Sequence, residues 1–208
     1  MVVRRSERKR RGQRGSAIIE AALVTPVFFM LIFGIMEFGM ALRNYLAVSN
    51  ATTEGARSAS VLGRDREADF FVLQSIADGI EAMGLENVDY VVVFEADKIN
   101  GAVPDACRTS SVDGLCNRYT RSDFFLALED AVGNSTGNWG CGAAAVDRYW
   151  CPIDNTNNPG GRLAALADPP DFIGVHIQAT HSYITGFFGS SVSLTNTKII
   201  RVEPERLN

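Results

Sequence analysis

No cysteine precedes Cys107, and the 208 residues hold only four. No charged residue lies between Ala21 and Met36. Acidic residues are almost missing from the first fifteen positions, where Glu7 stands alone against Arg4, Arg5, Arg8, Lys9, Arg10, Arg11 and Arg14. That stub is therefore +6, and because the whole chain is −4, the remainder is −10. Histidine occurs twice, and no CxxC pair is present. Zinc is therefore disfavoured as the use of the thiols. No HExxH or phosphate-cradling glycine loop occurs, so the familiar metalloprotease and nucleotide-binding signatures are missing. The reading is of a chain that is not an enzyme and needs no cofactor.

What is present is segregated. Residues 17–42, AIIEAALVTPVFFMLIFGIMEFGMAL, are almost wholly apolar. As a helix they reach about 39 Å, more than the roughly 30 Å core of a bilayer. Only a helix satisfies the backbone there. Basic residues beside an apolar span stay in the cytoplasm, so the N-terminus is expected inside and the remaining mass outside. The cysteines agree, since an even count in loop-like sequence fits disulfides in an oxidising compartment. Three connectivities are open to Cys107, Cys116, Cys141 and Cys151, and the local pairs 107–116 and 141–151 are favoured. Two other readings compete: a basic tail that binds RNA or phospholipid, and a cleavable signal peptide ending near Ala47-Val48-Ser49. The first is weakened by the apolar run beside the tail. The second is weakened by the length of that run and by Glu37.

Glu20 and Glu37 interrupt the run. Glu37 lies about 25 Å beyond Glu20 along a helix axis and reaches the outer interface. Glu20 sits near the inner end. An acid at mid-bilayer costs about 2.5–3.5 kcal/mol, and less at this depth. Pro26 removes a backbone donor, which membrane helices tolerate.

The junction reads Arg14-Gly15-Ser16-Ala17-Ile18-Ile19-Glu20. It resembles the cleavage motif of type IV prepilin-like proteins: a basic leader ending in glycine, with glutamate fifth in the mature chain. Continuing through Glu37-Phe38-Gly39 and Glu54-Gly55-Ala56-Arg57, the segment 12–60 looks like the TadE/TadG-like family of pseudopilins. The closing TKIIRVEPER also resembles that family's last strand. The resemblance implies a minor pseudopilin that assists assembly of a Flp-type adhesive pilus or related secretion apparatus. It implies cleavage between Gly15 and Ser16 by a prepilin peptidase, with Glu20 as the charged register point. It implies as partners the membrane, other pilins or pseudopilins and tight-adherence secretion components, and no nucleic acid. The alternative is an uncleaved, membrane-anchored envelope binding domain with no pilus role.

Three parts follow: a basic cytoplasmic leader (1–15), a transmembrane helix (16–43) and an extracytoplasmic domain (44–208). The expected class is α+β, a long N-terminal helix followed by a pilin-like domain with a small, mainly antiparallel sheet and one or two packed helices. The helix is expected to run on past the membrane to Gly63. Residues 66–83 place Phe70, Leu73, Ile76, Ala77 and Ile80 on one helical stripe. VDYVVVFEA (88–96) reads as a central strand, and 122–131 as a short helix capped by Ser122. Residues 133–161 read as a stapled loop, within which Asn134-Ser135-Thr136 matches a glycosylation sequon. Asp154, Asp168 and Asp171 are expected in turns. Residues 171–183 and 192–203 read as strands of a half-exposed sheet. His176 and His181 are expected on opposite faces. The Gly186-Phe187-Phe188-Gly189 tip is expected to fold back on the core, a membrane- or partner-facing tip being the alternative.

Overall fold

The computed structural model describes residues 11–129, 138–162 and 171–203, with side chains from Gly15 onward. The leader to Arg10, the sequon, Asp168 and the end of the 122–131 segment lie outside these residues.

Helix α1 runs unbroken from Arg11 to Leu62, 52 residues that include Pro26, or about 78 Å. Its halves differ. From Gly15 to Leu31 the surface is exposed and apolar. An 18-residue window here averages 2.3 in hydropathy with none of it buried, long and apolar enough to cross a membrane. From Gly34 on, one face is covered at helical spacing through Glu37, Asn44, Val48, Ala51, Gly55 and Ala59. Its outer part, Ala51, Gly55 and Ala59, is small, and a second helix lies close against Ala51 and Gly55. Gly63, with φ +42°, ends the helix, a conformation glycine adopts without strain.

Helix α2 (Ala68–Ile80) buries Phe70, Val72, Leu73, Ile76, Ala77 and Ile80, and a 3-10 turn continues it to Met83 before Gly84. It runs antiparallel to α1 at close quarters. A Cβ on Gly55 would stand 2.7 Å from the Ile76 side chain, and one on Gly79 would stand 2.9 Å from the Ala51 backbone.

Strands β1 (Val88–Ala96), β2 (Cys116–Thr120), β3 (Phe172–Ser182) and β4 (Ser191–Arg201) form one antiparallel sheet in the order β2-β1-β3-β4. Val91, Val93, Ile173, Val175 and Ile177 face α1 and α2 in the main core. Tyr90, Val92, Phe94 and Ala96 face a smaller core over which helix α3 (Asp105–Thr109) lies. Gly174 is directly opposite Phe94, and the Phe94 ring fills the space a side chain there would take.

Three expectations are corrected. Strand β3 is central and covered on both faces, not half-exposed, because on the second face the Phe94 and Tyr90 rings lie against Gly174 and His176. Strand β2 and α3 were not foreseen. Helix α4 (Arg121–Glu129) is capped by Thr120 instead of Ser122: the Thr120 N–H donates to Asp123 at 2.8 Å, and the Asp123 N–H returns to the Thr120 hydroxyl at 3.5 Å. The paired bonds satisfy donors that a helix start leaves free.

Candidate functional site

The motif residues are strung along α1 instead of gathered into a pocket. Gly15 and Ser16 lie near its start, with open space around Gly15. Glu20 is exposed amid apolar neighbours and has no hydrogen-bond or ion-pair partner among the described residues. Glu54 and Arg57 point outward and pair at 3.2 Å. Such an exposed pair contributes about 0.2–0.5 kcal/mol. Gly55 and Ala56 turn inward under α2 and β3. The four-residue motif thus packs through its middle and presents its charges at the α1–α2 groove with Ser58, Val61, Gln74 and Asp78.

Glu37 behaves unlike an interfacial anchor reaching for water. It is 1% exposed. The cause is the β3–β4 hairpin, whose tip (183–190) folds back along α1. The Thr185 N–H donates to the Glu37 carboxylate. Phe188 lies against Gly34, its ring 3.4 Å from where a Cβ would be. Beside it His181 bonds Asn44 of α1 at 2.9 Å, and the rings of His181, Tyr183 and Phe188 follow one another at 5.3 and 6.3 Å. Phe38 and Gly39, the rest of that motif, face outward. The tip therefore packs on the helix, not on the domain core, and Ile184, Phe187 and Phe188 remain 76%, 57% and 57% exposed.

The two histidines stand on opposite faces. His176 is buried behind the sheet and bonds Thr197 at 2.7 Å. Burial first, and the nearby Arg108 charge second, lower its pKa to about 4. It is neutral near pH 7.

The loop 138–162 has no regular secondary structure and is held by two devices. The Cys141–Cys151 disulfide closes it, while Cys107–Cys116 ties α3 to β2 outside it. By loop-closure entropy each such short loop stabilises by about 2.5–3 kcal/mol. Beneath it lies a polar knot absent from the sequence reading. Asp69 of α2 pairs with Arg162 at 2.8 Å, both fully buried, and accepts from Asn117 at 2.8 Å and Tyr119 at 2.6 Å. Arg162 also donates to the Trp150 carbonyl at 2.9 Å and lies over its ring. Asp147 accepts from the Gly140 and Cys141 N–H groups at 2.8 and 2.9 Å. Burial raises its pKa to about 6, against those hydrogen bonds.

Each acid in this knot has protein donors, which is the arrangement of a structural core. Among the described residues no group of three or more histidine, cysteine or acidic side chains is placed to hold a metal.

A family model described as TadE-like protein matches residues 15–57. No curated protein and no solved structure matches the chain. The matched segment begins at Gly15, contains Glu20, Glu37 and the Glu54–Arg57 motif, and ends inside α1 before α2 starts. Over this segment, residues 15–57, the chain is similar to TadE-like proteins.

Proposed function

We propose that this protein is a membrane-anchored minor pseudopilin of the TadE/TadG-like kind, which assists assembly of a Flp-type adhesive pilus or a related secretion apparatus. The observation that carries the reading is α1 itself. One rod carries the Gly15–Ser16 junction near its start, offers a bare apolar surface for a membrane's depth, and then becomes the spine of an α+β domain. A partner helix or lipid must cover the bare half, since so large an apolar surface is not stable in water. In this reading residues 1–15 are a cytoplasmic leader, 16–43 span the membrane and 44–208 lie outside the cytoplasm. Seven basic residues at the tip and two disulfides in the domain support that orientation.

Prepilin peptidase is the expected processing enzyme. The scissile bond lies in the second turn of α1, where a helix is cheapest to unwind. Cleavage frees an α-amino group at Ser16. In an assembly the unpartnered Glu20 meets a neighbour's amine, and the pairing offsets the cost of its burial.

N-terminal mass spectrometry on the protein from cells that contain the peptidase tests the reading. A chain that starts at Ser16 is the expected result, and an intact leader in those cells overturns it. The Glu20→Ala variant is expected to insert normally and to lower pilus output. Unchanged output removes the register role.

A further inference from the structure

We infer that the β3–β4 hairpin tip is a second membrane contact, entering the outer lipid leaflet beside α1. The inference rests on the reading that α1 spans the bilayer. Counted from Ala17, about 20 residues cover a 30 Å hydrocarbon core, which places its outer limit close to Glu37. Phe188 touches α1 at Gly34, about 4–5 Å deeper than Glu37 along the axis. The tip thus overlaps the span instead of hovering above it.

Its chemistry suits lipid. The segment 183–190, YITGFFGS, carries no charge. Its three large apolar side chains, Ile184, Phe187 and Phe188, are exposed and continuous with the bare flank of α1 at Leu31 and Ile35. Irregular backbone is costly in lipid unless its polar groups are bonded. Here four of the eight N–H groups of 183–190, those of Tyr183, Thr185, Phe187 and Gly189, donate to the Ser190 carbonyl, the Glu37 carboxylate, the Thr185 hydroxyl and the Gly186 carbonyl, which lowers that cost in part. Glu37 acquires a role in this arrangement: its carboxylate takes up a hairpin donor at the depth where water runs out. Tyr183 sits at the base of the tip, as aromatic residues with a polar end do at membrane interfaces. Helix and hairpin together fix the depth and rotation of the domain on the bilayer, which a single helix leaves free to swivel.

The experiment uses the full-length chain in phosphatidylcholine–phosphatidylglycerol vesicles containing lipid brominated in the upper acyl chain. Single tryptophans are added as F187W at the tip, I184W as a second tip position, F29W in mid-span and I99W far from the membrane. Trp139 and Trp150 are buried in the domain and supply a constant background. Brominated lipid is expected to quench the added F187W and I184W emission by half or more, as it does F29W, and to leave I99W unchanged. If F29W is quenched while the tip variants respond only to aqueous iodide, or to neither quencher because protein covers them, the hairpin inference is overturned and the spanning helix stands. If F29W is not quenched either, both fall.

Discussion

Across 148 positions of sequence, the main-chain N–H of Thr185 donates to the carboxylate of Glu37. This bond joins the β3–β4 hairpin to α1 at the point where α1 changes from bare to covered. A carboxylate in an apolar run is costly, and a backbone donor in a tight turn is costly when unbonded. The bond satisfies the donor and offsets part of the carboxylate's cost, while the second carboxylate oxygen of Glu37 is buried with no hydrogen-bond partner among the described residues.

Replacing Glu37 tests that balance. Glu37→Ala leaves the Thr185 N–H without its acceptor, a loss of about 1–3 kcal/mol. Amide exchange at Thr185 and along the 183–190 tip is expected to accelerate roughly tenfold or more, while β1 and α2 keep their protection. Glu37→Gln retains an acceptor oxygen and is expected to stay near wild type. Equal exchange in all three proteins removes the bond as the tip's anchor.

The close crossing of α1 and α2 gives a ranking of stabilities. A methyl on Gly79 meets the backbone of Ala51, which cannot move away, whereas one on Gly55 meets the movable Ile76 side chain. Gly79→Ala is expected to cost the more of the two, with both within the 1–3 kcal/mol typical of overpacking. Arg57→Ala removes only an exposed pair and is expected to cost under about 0.5 kcal/mol. Chemical denaturation of the three variants checks the order. A larger loss at Arg57 than at Gly55 contradicts the assignment of this motif's packing to its glycine.

Much of the architecture was legible because it rests on local signals. Helix α1 follows from an apolar run no other element accommodates, and β1, β3 and β4 follow from alternation and β-branched residues between turns. The rest depends on pairs that sequence separates. Asp69 looks like a solvent-facing residue at a helix start, and Arg162 follows two glycines in loop text; only the fold brings them together from 93 positions apart. Strand β2 is five mixed residues, CNRYT, with no period to reveal it, and it exists because β1 offers it an edge. The burial of Glu37 was not legible, because its partner lies in the hairpin.

The Asp69–Arg162 pair is expected to resist dissection by single changes. Arg162→Met leaves a buried carboxylate with its cation gone, at a cost of about 3–5 kcal/mol. Asp69→Asn alone strands the guanidinium. The double variant removes both charges and is expected to recover part of the loss, because the desolvation penalty disappears with them. A double-mutant cycle in urea, with the disulfides intact, measures the coupling. Additive losses contradict a paired knot.

The two shifted groups pull stability in opposite directions with pH. His176 has a folded pKa near 4 against a usual 6.5, so the unfolded chain takes up its proton first. Its contribution is full above about pH 6.5 and is lost as pH falls toward 4. Asp147 has a folded pKa near 6 against a usual 3.8, so the folded chain is the first to protonate. Its contribution is full below about pH 3.8 and is lost as pH rises through 6. Each effect is on the order of 3 kcal/mol, and between pH 4 and 6 they largely cancel. Wild type is therefore expected to show little change in stability from these groups across that window. Removing one exposes the other. His176→Gln should gain stability, relative to wild type, on going from pH 7 to pH 4.5, and Asp147→Asn should lose it over the same interval. Urea midpoints for the three proteins at pH 4.5, 5.5 and 7 measure both slopes. Parallel pH profiles for all three mean that neither group titrates differently on folding.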